Sequence, residues 1–156
     1  MIQDLGAAVF DNHYEEKSIS DDAMLMFVRG EQVLYKVEDD KMIYPKCSEC
    51  DIEGIDVRYM FSIDDVEYFL AFEDVYIDED EEADTPYRRL LAKLIADGFE
   101  FKNRMYIRNV YLNNPDEKKA CYAGVTAYQL GAWYEDNRIC GRCGSVLSHS
   151  KEERMM

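Results

Sequence analysis

Cys140-Gly141-Arg142-Cys143-Gly144 is the segment of this sequence best equipped for chemistry. Two thiolates separated by two residues can reach one tetrahedral zinc ion together. A glycine after each cysteine lets the backbone bend tightly around the sulfurs. Thiol–disulfide exchange, the other use of such a pair, normally places it at the start of a helix. Here the pair follows a predicted helix, so zinc is the favoured reading. It is half a site, because structural zinc takes four ligands.

A second pair, Cys47-Ser48-Glu49-Cys50, has the same internal spacing. The halves of an ordinary zinc ribbon lie about 15–20 residues apart, and here most of the strands and helices fall between the pairs. Cys47 and Cys50 also follow a strand end with no turn-forming glycine. They are read as two semi-buried thiols, with a reversible disulfide as the competing possibility. Cys121, inside a helix, is read as core. Five cysteines cannot all pair internally, and close pairs without a secretory signal point to metal or redox chemistry before structural bridges.

Other constellations are missing. There is no Gly-x-Ser-x-Gly elbow, no phosphate-binding P-loop and no His-Glu-x-x-His helix. Of the two histidines, His13 and His149, the second is read as an exposed tail residue rather than a zinc ligand. The acidic run Asp78-Glu79-Asp80-Glu81-Glu82 reads as a solvated loop. Lys102, Arg104 and Arg108 form a basic face that can touch a phosphate, or answer the acidic loop at Asp78–Asp84, which is preferred.

The elements that must position these residues fit an α+β chain. At 156 residues the chain can bury a core without disulfides. The first half reads as an antiparallel meander: Met24-Leu25-Met26-Phe27-Val28, Gln32 to Val37, Lys41 to Tyr44, Val57 to Phe61 and Val66 to Phe72, separated by short Asp-rich turns. Thr85, Pro86 and Gly98 bracket a first helix with Leu90, Leu91, Leu94 and Ile95 as its apolar stripe. Residues 101–108 alternate as a strand would. A second helix starts at Asn114-Pro115-Asp116-Glu117 and runs to about Asn137. Ala120, Ala123, Gly124, Ala127 and Gly131 line one of its faces, which offers close approach to another element and is a candidate contact surface.

A net charge of −15 repels phosphate backbones and anionic membranes, so general nucleic-acid or membrane binding is not expected. No apolar run approaches the roughly 18 residues that span a bilayer, and no secretory signal is seen. A cytoplasmic location is expected.

Taken together, several segments carry a resemblance that covers nearly the whole chain. Ala123-Gly124-Val125-Thr126-Ala127-Tyr128-Gln129-Leu130-Gly131-Ala132-Trp133-Tyr134, then Asn137-Arg138-Ile139-Cys140-Gly141-Arg142-Cys143-Gly144, resembles the helix entering the zinc ribbon of NudC-type NADH pyrophosphatases, of the Nudix hydrolase family. Lys151-Glu152-Glu153-Arg154 is similar to the stretch between that ribbon's cysteine pairs. Met1-Ile2-Gln3-Asp4, Phe10-Asp11-Asn12-x-Tyr14 and Phe61-Ser62-Ile63-Asp64 also resemble bacterial members.

The resemblance implies a Nudix-like N-terminal domain over residues 1–138 and the first half of a zinc ribbon over residues 139–156. Cys140 and Cys143 would then be two of four ligands to a structural Zn²⁺. Family members are typically homodimers that hydrolyse NADH and NAD⁺ to NMN(H) and AMP with Mg²⁺ or Mn²⁺, and some remove NAD caps from RNA. Here the sequence stops before the ribbon's second cysteine pair and has no Nudix box, the helix whose glutamates hold the catalytic ions. No catalytic or cofactor-binding residue is carried over. Mg²⁺ or Mn²⁺ is expected only in the missing C-terminal Nudix domain, and this chain alone is expected to be inactive. Its expected role is structural and dimer-forming. The alternative is a stand-alone binding module whose two copies share one zinc through Cys140 and Cys143. Half a zinc site keeps little of the metal's folding contribution, so residues 139–156 are expected to be mobile.

Overall fold

The computed structural model describes residues 4–73 and 83–154. The strands are β1 (Phe10–Asp11), β2 (Met24–Met26), β3 (Val28–Arg29), β4 (Gln32–Glu38), β5 (Lys41–Ile43), β6 (Asp56–Ile63), β7 (Val66–Phe72) and β8 (Glu100–Asn103). The helices are α1 (Pro86–Ala96), α2 (Arg104–Asn113) and α3 (Lys118–Asp136). The α+β class expected from the sequence is what the chain adopts.

One sheet has the order β1-β6-β7-β2, and a second is built on β4, which pairs with β3, β5 and β8. The residues from Met24 to Arg29 serve both: β2 pairs with β7, Leu34 N–H donates to Phe27 O at 3.0 Å, and β3 pairs with β4. The meander expectation needs correcting here, because β2 and β7 run parallel. Such a pair joins segments far apart in sequence, and local turn signals carry no information about it.

Alternate residues of each strand face opposite layers, and both layers are covered. Leu25, Phe27, Leu34, Tyr59, Phe69 and Ala71 pack with Tyr87, Leu90, Leu91 and Leu94 of α1. Met26, Val33, Tyr35, Met60, Tyr68 and Leu70 pack with Ile107 of α2 and with Cys121, Ala123, Ala127 and Tyr134 of α3. Burial on both faces is why the strands read as nearly continuous apolar runs. Each fully buried large apolar side chain contributes roughly 1.5–3 kcal/mol. A β-bulge between Tyr59 and Phe61 shifts the phase, so that Met60, Phe61 and Ile63 all enter the α2/α3 layer.

Helix α1 is bounded as its residues require. Thr85 Oγ accepts from Arg88 N–H at 3.2 Å, and Pro86 opens the first turn. At the far end Gly98 takes φ +103°, and the Gly98 and Phe99 N–H groups close back onto Ile95 and Leu94. That is the glycine-terminated C-cap in which a left-handed residue satisfies the last carbonyls.

Among the described residues three helices stand where two were expected. Residues 104–108 belong to α2 rather than to a strand, because the Asn103 side chain accepts from Met105 N–H and starts a helix. Ile107, Val110 and Tyr111 then form its inward face at helical spacing. A 3-10 turn, Pro115–Glu117, precedes α3. The small-residue face of α3 is also reassigned. It lies against the chain's own sheet, and a Cβ on Gly131 would come within 2.8 Å of Val28, one on Gly124 within 2.5 Å of Tyr44 Oη. The close approach is therefore internal.

Candidate metal centre and the tail beyond it

The C-terminal end of α3 leads directly into the cysteine pair. Asn137 N–H closes on Trp133 and Tyr134 carbonyls, and the Arg138 guanidinium donates to Glu73 O beyond β7. Ile139 and Val146 then form an antiparallel bridge, with Leu147 N–H donating to Arg138 O at 2.8 Å. Inside that bridge the chain turns sharply. Cys140 N–H donates to Ser145 O and Gly144 N–H to Cys140 O, each at 2.8 Å. Gly144 takes φ +71°, a left-handed conformation that glycine adopts without penalty.

The two cysteines of the turn differ in exposure. Cys143 is exposed and Cys140 half-buried. Cys143 Sγ lies 3.1 Å from Ser145 Oγ. Hydrogen bonds from the Ser145 hydroxyl, then from its backbone N–H and from Cys140, hold the Cys143 thiol below its ordinary range. A thiolate is the form that ligates metal. The donors therefore suit zinc, and this segment holds two of the four a structural ion takes. Among the described residues no group of three or more His, Cys, Asp or Glu gathers as a metal site.

The other three thiols are different in kind. Cys47 opens a 3-10 turn, Cys47–Glu49, and is buried. Burial raises its pKa and pushes that of Cys50 up to about 11. Cys121, at about 11 for the same reason, points its Sγ at Ile107 O, 3.7 Å away. All three stay protonated near neutrality, which suits packing.

His149 is not an exposed tail residue. Its side chain is 12% exposed, with Nε2 3.4 Å from Asp56 Oδ2. Its ring lies 4.9 Å from that of Phe72 and 5.3 Å from that of Tyr134. Beyond it, Tyr14 Oη donates to Ser150 O at 3.1 Å, and Arg154 donates to Asn12 O at 3.2 Å and to Met60 O at the bulge. Residues 147–154 therefore lie along β6 and the N-terminal segment. The sequence offered no signal for this, because every partner comes from a distant segment.

The basic residues divide between two elements. Lys102 on β8 pairs with Glu100 at 3.8 Å and lies over the Tyr35 ring, whereas Arg104 on α2 lies over Tyr128. Of the acidic loop 78–84 that was to answer them, residues 78–82 lie outside the described residues, and Asp84 pairs with Arg89 at 3.1 Å rather than with this basic face. Among the described residues no helix is long and apolar enough to cross a membrane. In comparisons with known proteins, no family model, no curated protein and no solved structure matches the chain.

Proposed function

We propose that the chain is the non-catalytic N-terminal region of a Nudix-type NAD(H) pyrophosphatase, and that its cysteine knuckle is half of a four-cysteine zinc site. The observation that carries the reading is the Cys140/Cys143 turn. It stands directly after α3, Cys143 is exposed, and its thiol is held toward the thiolate. Zinc bound there would act as a structural cross-link, tying this domain to the segment that supplies the other two thiolates. In that role α3 positions the knuckle, while the layered sheet gives α3 a rigid seat.

A second reading has its own support. Ile139 and Val146, which flank the knuckle, are 55% and 37% exposed. Exposed apolar residues beside an exposed and a half-buried thiol suit a zinc shared between two copies of the chain.

Native mass spectrometry with added zinc, paired with an NADH hydrolysis assay, tests both. The first reading expects no NMNH release by this chain with Mg²⁺. It also expects zinc held one per chain only when a second cysteine pair and a Nudix domain are joined to it. Mg²⁺-dependent NMNH release by the chain alone overturns it. One zinc per two chains, lost together with the dimer in Cys143→Ser, selects the second reading.

A further inference from the structure

We propose that a cleft between β6, β7 and α1 binds a small organic carboxylate, held at its charged end by Arg138 and the Tyr87 hydroxyl. The cleft lies at the start of β6, the end of β7 and the first turn of α1, and has a volume of about 450 Å³. Small-molecule sites typically run from about 300 to 1,000 Å³.

The charges in the cleft set the sign of the ligand. Among the described residues, four side chains of fixed charge line it: Asp56, Arg58, Glu73 and Arg138. Asp56 is paired with Arg58 at 2.9 Å, and Glu73 with Arg88 of α1. Arg138, just beyond α3, is half-buried and spends one N–H on the backbone carbonyl of Glu73. Among the described residues it has no carboxylate partner. It is the cation left over, and most of the five N–H donors of a guanidinium remain to it. One uncompensated positive charge suits a monoanion, and the planar fork matches a carboxylate edge on.

The second donor is Tyr87, a residue only 7% exposed. Among the described residues its hydroxyl has no hydrogen-bond partner, yet it is not sealed from solvent, so it opens on the cleft that the residue lines. Polar groups this deep in a protein are normally partnered. An idle hydroxyl beside an unpaired guanidinium therefore points to a ligand that accepts from both. Burial, then the Glu73 carboxylate, pushes the phenol up to about 12, with Arg29 and Arg138 partly offsetting the rise. At neutral pH the group keeps its proton and donates. Ile55, Phe72, Pro86 and Leu147 supply apolar wall for the body of the molecule. The net charge of −15 opposes an anion mainly at long range, where physiological salt screens it beyond about 8 Å.

Benzoate is the probe, with benzamide as its uncharged counterpart and inorganic phosphate as a second anion, each followed by amide NMR of the whole chain. Benzoate should saturate with a Kd at or below about 1 mM and shift the amides of Phe72, Tyr87, Arg138 and Ser148. Benzamide should bind at least about tenfold more weakly, and Arg138→Gln should weaken benzoate by a similar factor. Tyr87→Phe should weaken benzoate about three- to tenfold. The same variant should leave the urea midpoint unchanged, because the hydroxyl has no partner in the fold. No saturable benzoate shifts up to about 10 mM, equal affinity for benzamide, or unchanged affinity in Tyr87→Phe each overturns the proposal. Phosphate binding more tightly than benzoate overturns the choice of a carboxylate.

Discussion

Gly131 of α3 and Val28 of β3 approach so closely that a Cβ on the glycine would lie 2.8 Å from the valine Cβ. The contact fixes how near α3 rests on the sheet, and so where its C-terminal end delivers Arg138 and the cysteine turn. The valine atom is close to the backbone and cannot swing aside. Gly131→Ala should therefore cost about 1–3 kcal/mol through overpacking, outweighing the helix-propensity gain of about 1 kcal/mol that alanine brings. A urea midpoint that stays put or rises would refute this packing. Gly124→Ala should act the same way, since its Cβ would meet Tyr44 Oη, which is hydrogen-bonded to Ala120 O.

Two hairpins are closed by aspartate pairs in the left-handed region, Asp39 and Asp40 at φ 51° and 60°, Asp64 and Asp65 at φ 46° and 67°. Turns with both central residues at positive φ match the twist of a hairpin, and glycine adopts them most readily. Asp64 is held there by function within the fold: its Oδ1 accepts from Val9 N–H at 2.8 Å, and its other oxygen pairs with Lys119. Among the described residues Asp65 makes no comparable contact. Asp65→Gly is expected to stabilise the protein by roughly 0.5–1 kcal/mol by relieving backbone strain, whereas Asp64→Gly should destabilise it. Thermal unfolding of the two variants side by side decides the matter. Equal shifts in the same direction would count against the assigned role of Asp64.

Acid should loosen the fold through two carboxylates. The Lys119 hydrogen bond, followed by that of Val9 N–H, lowers the pKa of Asp64, and the His149 hydrogen bond does the same for Asp56. A lowered folded-state pKa contributes stability that is present above the ordinary value of 3.8 and is lost as pH falls through the lowered one. Denaturant melts across about pH 2 to 5 should show that decline, and Asp56→Asn should flatten part of it. An identical pH slope in the variant would remove Asp56 from the account.

What could be read from the sequence was what is decided locally. Thr85, Pro86 and Gly98 mark α1 because capping is a matter of neighbouring residues, and the Asp-rich turns mark hairpins for the same reason. The tight turn around Cys140 follows from Gly144, the glycine in it that takes a positive φ. Helix α2 was hidden because its inward face is only Ile107, Val110 and Tyr111, and because Phe101, Met105 and Ile107 imitate a strand. The parallel pairing of β2 with β7 and the docking of His149 on Phe72, Tyr134 and Asp56 join distant segments. Only packing selects such partners, so no short pattern announces them. The small-residue face of α3 shows the ambiguity most clearly. Its composition signals close approach, and the sequence does not say to what.

The contrast among the five thiols gives the most direct chemical test of the knuckle. Cys143 is exposed and its pKa lowered by Ser145, while burial pushes Cys50 and Cys121 up to about 11 and raises Cys47 as well. Alkylation proceeds through the thiolate, so rate follows thiolate fraction and access. Near neutral pH, iodoacetamide should label Cys143 at least about tenfold faster than Cys47, Cys50 or Cys121, as read by peptide mass spectrometry. Ser145→Ala should slow Cys143 specifically, because it removes the hydroxyl that stabilises the thiolate. Once a second cysteine pair is supplied, added zinc should protect Cys140 and Cys143 together and leave Cys47, Cys50 and Cys121 unaffected. Protection of Cys47 and Cys50 instead would move the metal to the other pair and undo the assignment of the knuckle.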